Sequence, residues 1–320
     1  MTRKLFSLTL SAFALLLLMG AGVEQEPAAE PQTEKGTRGT QLVETSETYD
    51  QEADQAHMVT AVAGSSVLTL VEDMDRTLTV DGKPVSSEVN KTQHSGTTYV
   101  ALAPMVAELD PSAAVSWDGG SSTVTVNSSK LNLSATVGQL YVVANGRYLY
   151  LPEGVQVVNG RVTVPLSVLM EAFDASMTWN AATGVVAVTR GSGALTPADQ
   201  YYNQDDLFWL SRIIYAESGN QPLEGMMAVG NVVLNRVNDP IYPNTIVGVL
   251  AQKNQFTTYQ SGKLAYRTPN TNSVIAAKLV LDGGVVEETL GATHFDSTGN
   301  SWASRNKTCV AVIGAHYFYA

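Results

Sequence analysis

"IIYAESGNQPLEGMMAVGNVVLNRV", residues 213–237, decides how the C-terminal part of this chain is read. Leu207, Leu210 and Ile214 recur at helical spacing ahead of it, and Glu217 continues the same row. That helix is expected to start at a cap supplied by Asp205 or Asp206 and to stop at Gly219, with Pro222 opening a second helix. The second helix runs to about Val237 and packs through Leu223, Met226, Met227, Gly230, Leu234 and Val237, with Ala228 and Gly230 permitting close backbone approach. Further helices are expected near 244–251 and 272–281, the latter ended by Asp282-Gly283, with a loop-rich stretch from Lys253 to Asn270. The region 205–320 is thus expected to be a mainly α domain.

Glu217 raises a chemical question, because a carboxylate on an apolar row loses solvation. Desolvation raises its pKa, and a general acid working near neutral pH needs that shift. Taken alone, a helix-end glutamate reaching water past the last turn is the commoner case.

Composition narrows the alternatives. With 320 residues the chain suffices for two domains plus extra segments, and 44% hydrophobic against 15% charged residues describes a globular protein. Its net charge of −11 argues against nucleic acid as a partner and leaves no basic patch for anionic polymers or lipids. The single cysteine, Cys309, excludes an internal disulfide and is expected to be an inert buried thiol.

The N-terminus has the layout of an export signal. Arg3 and Lys4 precede an apolar run through Met19 that exits on Gly20, Ala21 and Gly22. Cleavage near residue 22 is expected, which leaves no stable membrane anchor; the rival reading is an uncleaved anchor. Residues 23–58 are rich in acids, Pro and Gly, and are expected to be a solvated linker that cannot offset its ordering entropy by burial. His57 ends it with no partner nearby in sequence.

The next region repeats itself. "TYVALAPMVAELDPSAAVSWDGGSSTVTV" from Thr98 and "VTVPLSVLMEAFDASMTWNAATGVVAV" from Val162 share a β-like start, a short helical run, a Trp (Trp117, Trp179), a turn and an alternating Val strand. Upstream, "TVDGKPV" at 79–85 matches "VANGRYL" at 143–149; both carry the Asx-Gly hairpin signal. Two half-units, each too small for its own core, are expected to pair into one α+β domain over residues 59–190. Equivalent repeat positions make Trp117 and Trp179 core residues by expectation. This doubled pattern resembles the copper amine oxidase N-terminal-like domain, a stalk module of exported proteins. No copper is expected, since His94 is alone there and one imidazole cannot hold the ion. The segment 191–204 reads as a linker to the last domain.

"LSRIIYAESGNQPLEGMMAVGNVVLNRV", then "YPNTIVGVLAQKNQFT" and a closing "VIGAHYFY", strongly resembles the spore cortex-lytic enzyme (SleB-type) cell wall hydrolase family across about 205–320. The resemblance implies a lysozyme-like α fold that cuts peptidoglycan between N-acetylmuramic acid and N-acetylglucosamine, and it places the family's catalytic glutamate on Glu217. It implies lytic transglycosylation, in which Glu217 protonates the glycosidic oxygen and the muramic C6 hydroxyl closes onto C1. A carboxylate-pair mechanism would need a partner, for which Glu224, Asp239 and Asp296 are available. Gln255, Phe256 and Thr257 match the family's Q-F-T stretch and are expected beside the glutamate, Phe256 serving either as core or against a sugar ring. Asn231, Asn235, Tyr242 and Tyr259 are further substrate-binding candidates, and His316 is expected to be a buried, hydrogen-bonded histidine rather than a base. No cofactor or metal is expected. The protein is placed outside the cell, on the wall of a Gram-positive envelope or spore. "THFDSTGNSW" at 293–302 departs from the family, so cortex and vegetative peptidoglycan both stay open as targets.

Two other classes of function fit the sequence less well. A zinc amidase or peptidase needs clustered ligands, yet the chain has four histidines and no H-E-x-x-H. A non-catalytic wall-binding scaffold is the main alternative, and the intact "YAE" at 215–217 argues against it.

Overall fold

Two Asx-Gly pairs set strand register in the middle of the chain. Asp81-Gly82 has φ of 49° and 77°, and Asn145-Gly146 has 48° and 80°. Positive φ at both central residues is the type I′ turn, whose twist matches that of the flanking strands. The computed structural model describes residues 71–72, 77–94 and 96–320, and these lie in one compact unit. The export signal, the acidic linker and His57 fall outside the described residues.

The first half of the middle region comprises β1 (Val71–Glu72), β2 (Leu78–Val80), β3 (Lys83–Pro84), β4 (Thr92–His94), β5 (Thr97–Ala101), α1 (Leu102–Leu109), β6 (Ala114–Asp118) and β7 (Thr123–Asn127). The second comprises β8 (Asn132–Thr136), β9 (Tyr141–Ala144), β10 (Arg147–Tyr150), β11 (Gln156–Val158), β12 (Arg161–Pro165), α2 (Leu166–Ala172), β13 (Ser176–Asn180) and β14 (Val185–Thr189). The halves interlock. Equivalent strands β5 and β12 pair antiparallel, with Val100 opposite Val164, and β14 returns to pair in parallel with β2. One core draws on both halves, including Leu102, Met105, Leu133, Val164 and Leu169. Neither half could bury these side chains alone, which is the physical reason for the repeat.

The two tryptophans depart from expectation. β6 and β13 are edge strands, and every residue of both is exposed. Trp117 is 55% and Trp179 60% exposed, so neither is a core residue. Repeat equivalence holds, but it places both indoles on the rim rather than inside.

The C-terminal region mixes helix and strand. α3 (Ala198–Tyr201), α4 (Gln204–Ser218), α5 (Leu223–Asn238), α6 (Ile246–Leu250), α7 (Thr257–Gln260), α8 (Thr271–Leu281) and α9 (Trp302–Asn306) are joined by a three-stranded antiparallel sheet, ordered β15 (His294–Asp296), β17 (His316–Tyr319), β16 (Cys309–Ile313). The mainly α expectation overlooked this sheet. The β-rich "CVAVI" and "HYFY" runs pair around Gly314, which sits at φ 57° and whose added Cβ would lie 2.3 Å from the Gln221 Oε1. Cys309 is exposed on this sheet and not buried as expected.

α5 is the centre of that region. Met226, Met227, Val229, Val232 and Val233 are buried, as are Ala228 and Gly230, while Leu223, Leu234 and Val237 are partly so. A helix apolar nearly all round must be surrounded, and α4, α6 and α8 supply the neighbours. α4 is capped by Asn203 rather than by Asp205 or Asp206. Its side chain accepts from the Asp205 and Asp206 amides at 2.9 and 3.1 Å, and both acids occupy the first turn, where the helix dipole favours them.

The two regions meet at a buried ionic node. Asp282, the C-cap of α8, accepts from the Arg147 Nε on β10 at 2.8 Å and from the Tyr202 hydroxyl. The Arg147 and Asp282 side chains are only 8% and 1% exposed. Arg147 also reaches Glu171 at 3.0 Å, and the Tyr202 hydroxyl accepts from the Tyr148 amide at 3.2 Å. Tyr141, Tyr148 and Tyr150 of the β9–β10 hairpin pack on the C-terminal core. Residues 191–204 are tied in as well, the Ala198 amide bonding to the Asn145 carbonyl at 3.0 Å. A buried pair broken on one side leaves an uncompensated charge. Asp282→Ala is therefore expected to cost about 3–5 kcal/mol in urea unfolding, and Arg147→Met with Asp282→Leu to cost less than the single change.

Candidate active site

α4 carries Glu217 on its last turn. Leu210 and Ile214, one to two turns earlier, are fully buried, so the row that ends in Glu217 faces the core. Glu217 itself is half-buried. Burial holds its carboxyl above the ordinary value of 4.5, and the positive charge of Arg267 pulls partly the other way. Such a group is protonated further into the neutral range than a surface glutamate.

The turn after Glu217 is fixed from several directions. Ser218 donates to the Ile214 carbonyl at 2.8 Å. The Gly219 amide bonds to the Tyr215 carbonyl, and a Cβ at Gly219 would sit 2.6 Å from both that oxygen and the Tyr215 ring. Only glycine fits so close an approach. The Gly219 carbonyl accepts from Asn270 Nδ2 at 2.9 Å, while Asn270 Oδ1 caps α8 by accepting from the Ser273 amide at 2.8 Å. Gln221 Oε1 accepts from the Ala315 amide at 2.8 Å, which ties the turn to the closing β16–β17 hairpin.

Opposite α4 lie α7 and a 3₁₀ turn, Leu264–Tyr266. Tyr259 of α7 meets Trp209 of α4 edge-on, ring centres 5.2 Å apart. Leu264 is buried, Tyr266 is 90% exposed, and exposed Arg267 follows. Arg267, Tyr266 and Asn270 escaped the sequence reading. The signal was there in "LAYRTPN", an exposed aromatic and a cation just before a Pro-Asn helix start.

The other candidates separate into two groups. Gln255 and Thr257 are exposed at the start of α7. Phe256 is buried, 3% exposed, and packs in the core within 5.6 Å of the Arg236 guanidinium, so of its two readings the core one holds. Asn231 is buried and its amide is engaged at both ends, donating to the Gly284 carbonyl at 2.9 Å and accepting from the Val286 amide at 3.0 Å. Asn235 donates to the Ala292 carbonyl at 2.8 Å. Both asparagines tie α5 to the segment 284–292, Asn231 through both ends of its amide and Asn235 through its Nδ2. Buried Arg236 completes this row by donating to the Thr293 carbonyl at 2.7 Å, and its guanidinium lies 5.4 Å from the ring of Tyr242.

The spare carboxylates are likewise occupied. Glu224 accepts from the Tyr150 hydroxyl at 3.3 Å and Asp239 from the Ile241 amide at 3.0 Å. Burial alone would raise the Asp296 pKa, but bonds from Ser301, Gly299 and Thr298 outweigh it and hold the carboxyl below its ordinary value. His294 is held down to about 4 by burial, with Arg236 and Lys307 adding to the effect. His316 is buried, and burial depresses its pKa; its Nδ1 has no partner among the described residues. Among the described residues no group of three or more His, Cys, Asp or Glu is placed to hold a metal, and no helix is long and apolar enough to cross a membrane.

Comparison with known proteins agrees with this division. Residues 220–319 match the Cell Wall Hydrolase family, a span that begins just after Glu217, and residues 79–188 match the Copper amine oxidase N-terminal domain. The chain carries a cell wall hydrolase domain at its C-terminal end and a copper amine oxidase N-terminal-like domain in its middle. Its relatives include the spore cortex-lytic enzyme of Bacillus subtilis, 30% identical over 118 residues, which are 37% of this chain and 38% of that one. The spore cortex-lytic enzyme of Bacillus cereus is 36% identical over 100 residues, 31% of this chain and 34% of that one. The matches thus span little more than a third of these relatives' length. Among solved structures, the catalytic domain of the germination-specific lytic transglycosylase SleB from Bacillus anthracis shares 31% identity, covering 39% of this chain and all of that one at a TM-score of 0.34.

Asn231 offers a direct check on the structural assignment. Asn231→Ala strands a buried amide and a buried carbonyl, and is expected to cost about 1–3 kcal/mol in urea unfolding. Retention of the folded variant on peptidoglycan sacculi should be unchanged, whereas a substrate contact would show the reverse pattern.

Proposed function

We propose that residues 205–320 form a catalytic domain that cleaves the glycan strands of peptidoglycan between N-acetylmuramic acid and N-acetylglucosamine, with Glu217 as general acid and then base. Residues 59–190 form the accompanying stalk domain and 191–204 the connection. The observation that carries the reading is the Glu217 carboxyl, half-buried at the end of an apolar row and raised in pKa by that burial. Its relatives named as spore cortex-lytic enzymes support a peptidoglycan-degrading activity.

Protonated Glu217 gives its proton to the glycosidic oxygen as the C1–O bond breaks, so the leaving sugar departs as a neutral alcohol. The carboxylate then takes the proton of the muramic C6 hydroxyl while O6 bonds to C1. The product is a 1,6-anhydro sugar, and Glu217 is protonated again. A second carboxylate is unnecessary on this path, in keeping with the structural duties of Glu224, Asp239 and Asp296. Gln255 just before α7 and Thr257 and Tyr259 on it are the proposed substrate-binding residues, Arg267 draws the Glu217 pKa partly back down, and Asn270 positions the turn behind it. The substrate lies outside the cell membrane, on the wall or spore cortex.

Mass spectrometry of digested sacculi tests this. The chain should release anhydromuropeptides and Glu217→Gln none; reducing-end products would mean hydrolysis by water, and binding without products a scaffold. The pH profile tests the proton directly. The acid must be protonated, so kcat/KM should fall as pH rises through a pKa above 4.5. Removing the Arg267 charge favours the protonated form, so Arg267→Ala should move that fall to higher pH. An unmoved limb would detach Arg267 from the acid.

A further inference from the structure

The middle domain has a cavity that the proposed chemistry does not use. It encloses about 560 Å³ between the β4–β5 hairpin, the start of α2 and the edge strand β13. That volume lies within the range of about 300–1,000 Å³ typical of small-ligand sites. Gln93, Thr97, Thr98, Ser167, Met177 and Trp179 contribute to its walls. Trp179 stands opposite Val186 in the β13–β14 ladder, so the two side chains share a face, and both line the cavity. Its repeat counterpart Trp117 does not.

The wall chemistry narrows the ligand. No described lining side chain is charged, and the chain as a whole is at −11, which disfavours an anion. What remains is a broad aromatic face that is 60% exposed, a thioether that is 45% exposed, and a rim of hydroxyls and one carboxamide. Hydroxyls and carboxamides both donate and accept, so they match a ligand that presents the same groups around a ring. An indole wants an apolar face to cover. A pyranose offers both at once, with C–H groups on its faces and hydroxyls at its edge. An acetamido substituent adds a methyl for Met177 and an amide for the rim.

We propose that this cavity is a binding site for uncharged N-acetylhexosamine units of cell wall glycan, separate from the candidate active site. The choice of a wall glycan follows from the cell wall hydrolase domain on the same chain. It does not depend on Glu217 being the acid. The middle domain then holds the substrate polymer while the C-terminal domain acts on it.

The four tryptophans, Trp117, Trp179, Trp209 and Trp302, make the test site-specific. In the full ¹⁵N-labelled chain carrying Glu217→Gln, each indole N–H gives one NMR signal, assigned by single Trp→Phe changes. Titration with the tetramer of N-acetylglucosamine should shift the Trp179 signal saturably and leave Trp117 unmoved. Trp179→Ala, at an exposed position, should weaken retention on sacculi about tenfold, with Trp117→Ala as the unchanged control. A silent Trp179 signal, with or without movement of Trp209, overturns the proposal, as does equal movement of Trp117 or unaltered retention of Trp179→Ala. Loss of the proposed catalytic function would appear independently, as intact sacculi with the Glu217 chain while the Trp179 shift persists.

Discussion

Helix α8 is held at both ends, and that constraint links the two regions of the protein. At its C-terminal end Asp282 is bound by Arg147 and Tyr202, which belong to the β9–β10 hairpin and the segment before α4. At its N-terminal end Asn270 caps the helix and grips the Gly219 carbonyl, two residues beyond Glu217. Eleven residues at 1.5 Å each make a strut of about 16 Å between the joint and the candidate acid. α8 also packs on α4 and α5 along its length. The turn behind Glu217 therefore takes its position from a helix whose far end is anchored in the middle domain.

Much of the fold was legible because its determinants are local. Asp81-Gly82 and Asn145-Gly146 specify their turns with the two residues involved, since few others tolerate positive φ twice in succession. The repeat also foretold that two halves share a core. Sheet order was beyond reach, because the β5–β12 and β14–β2 pairings join strands far apart in sequence whose apolar patterns would accept other partners. The same limit misplaced Trp117 and Trp179. Repeat position says that they are equivalent, while only the sheet says that both strands lie at an edge.

The candidate site shows a similar division. Glu217 stood out because the apolar row that desolvates it is written in its own helix, and the family resemblance, not the row alone, made it the candidate acid. Asn231 and Asn235 were recognised as hydrogen-bonding groups, but their partners lie at 284–292, more than 50 residues away, and turned out to be backbone. Arg267 and Asn270 left only a compositional cue in "LAYRTPN", because a loop gives no periodicity from which to infer what its side chains face. Local rows reveal an unusual environment, whereas the groups that tune it arrive from distant loops.

The carboxyl inventory shows how one acid can be singled out without a dedicated partner. Asp296 has amide and hydroxyl donors that favour its charged form, so it holds a loop and stays ionised. Asp282 is desolvated far more completely, but it faces a guanidinium and a phenol that fix it in an ionic node. Among the described residues Glu217 has burial without such donors and one cation acting on it electrostatically, so its neutral form gains. A carboxyl group is thus directed to a turn, a joint or the proposed acid role by how many donors accompany its burial. Tight pairing at Glu217 would lower its pKa and forfeit the proton, while full exposure would return it to the ordinary value. A half-buried helix end beside an exposed Arg267 lies between those limits, where a carboxyl can both give up a proton and take one back.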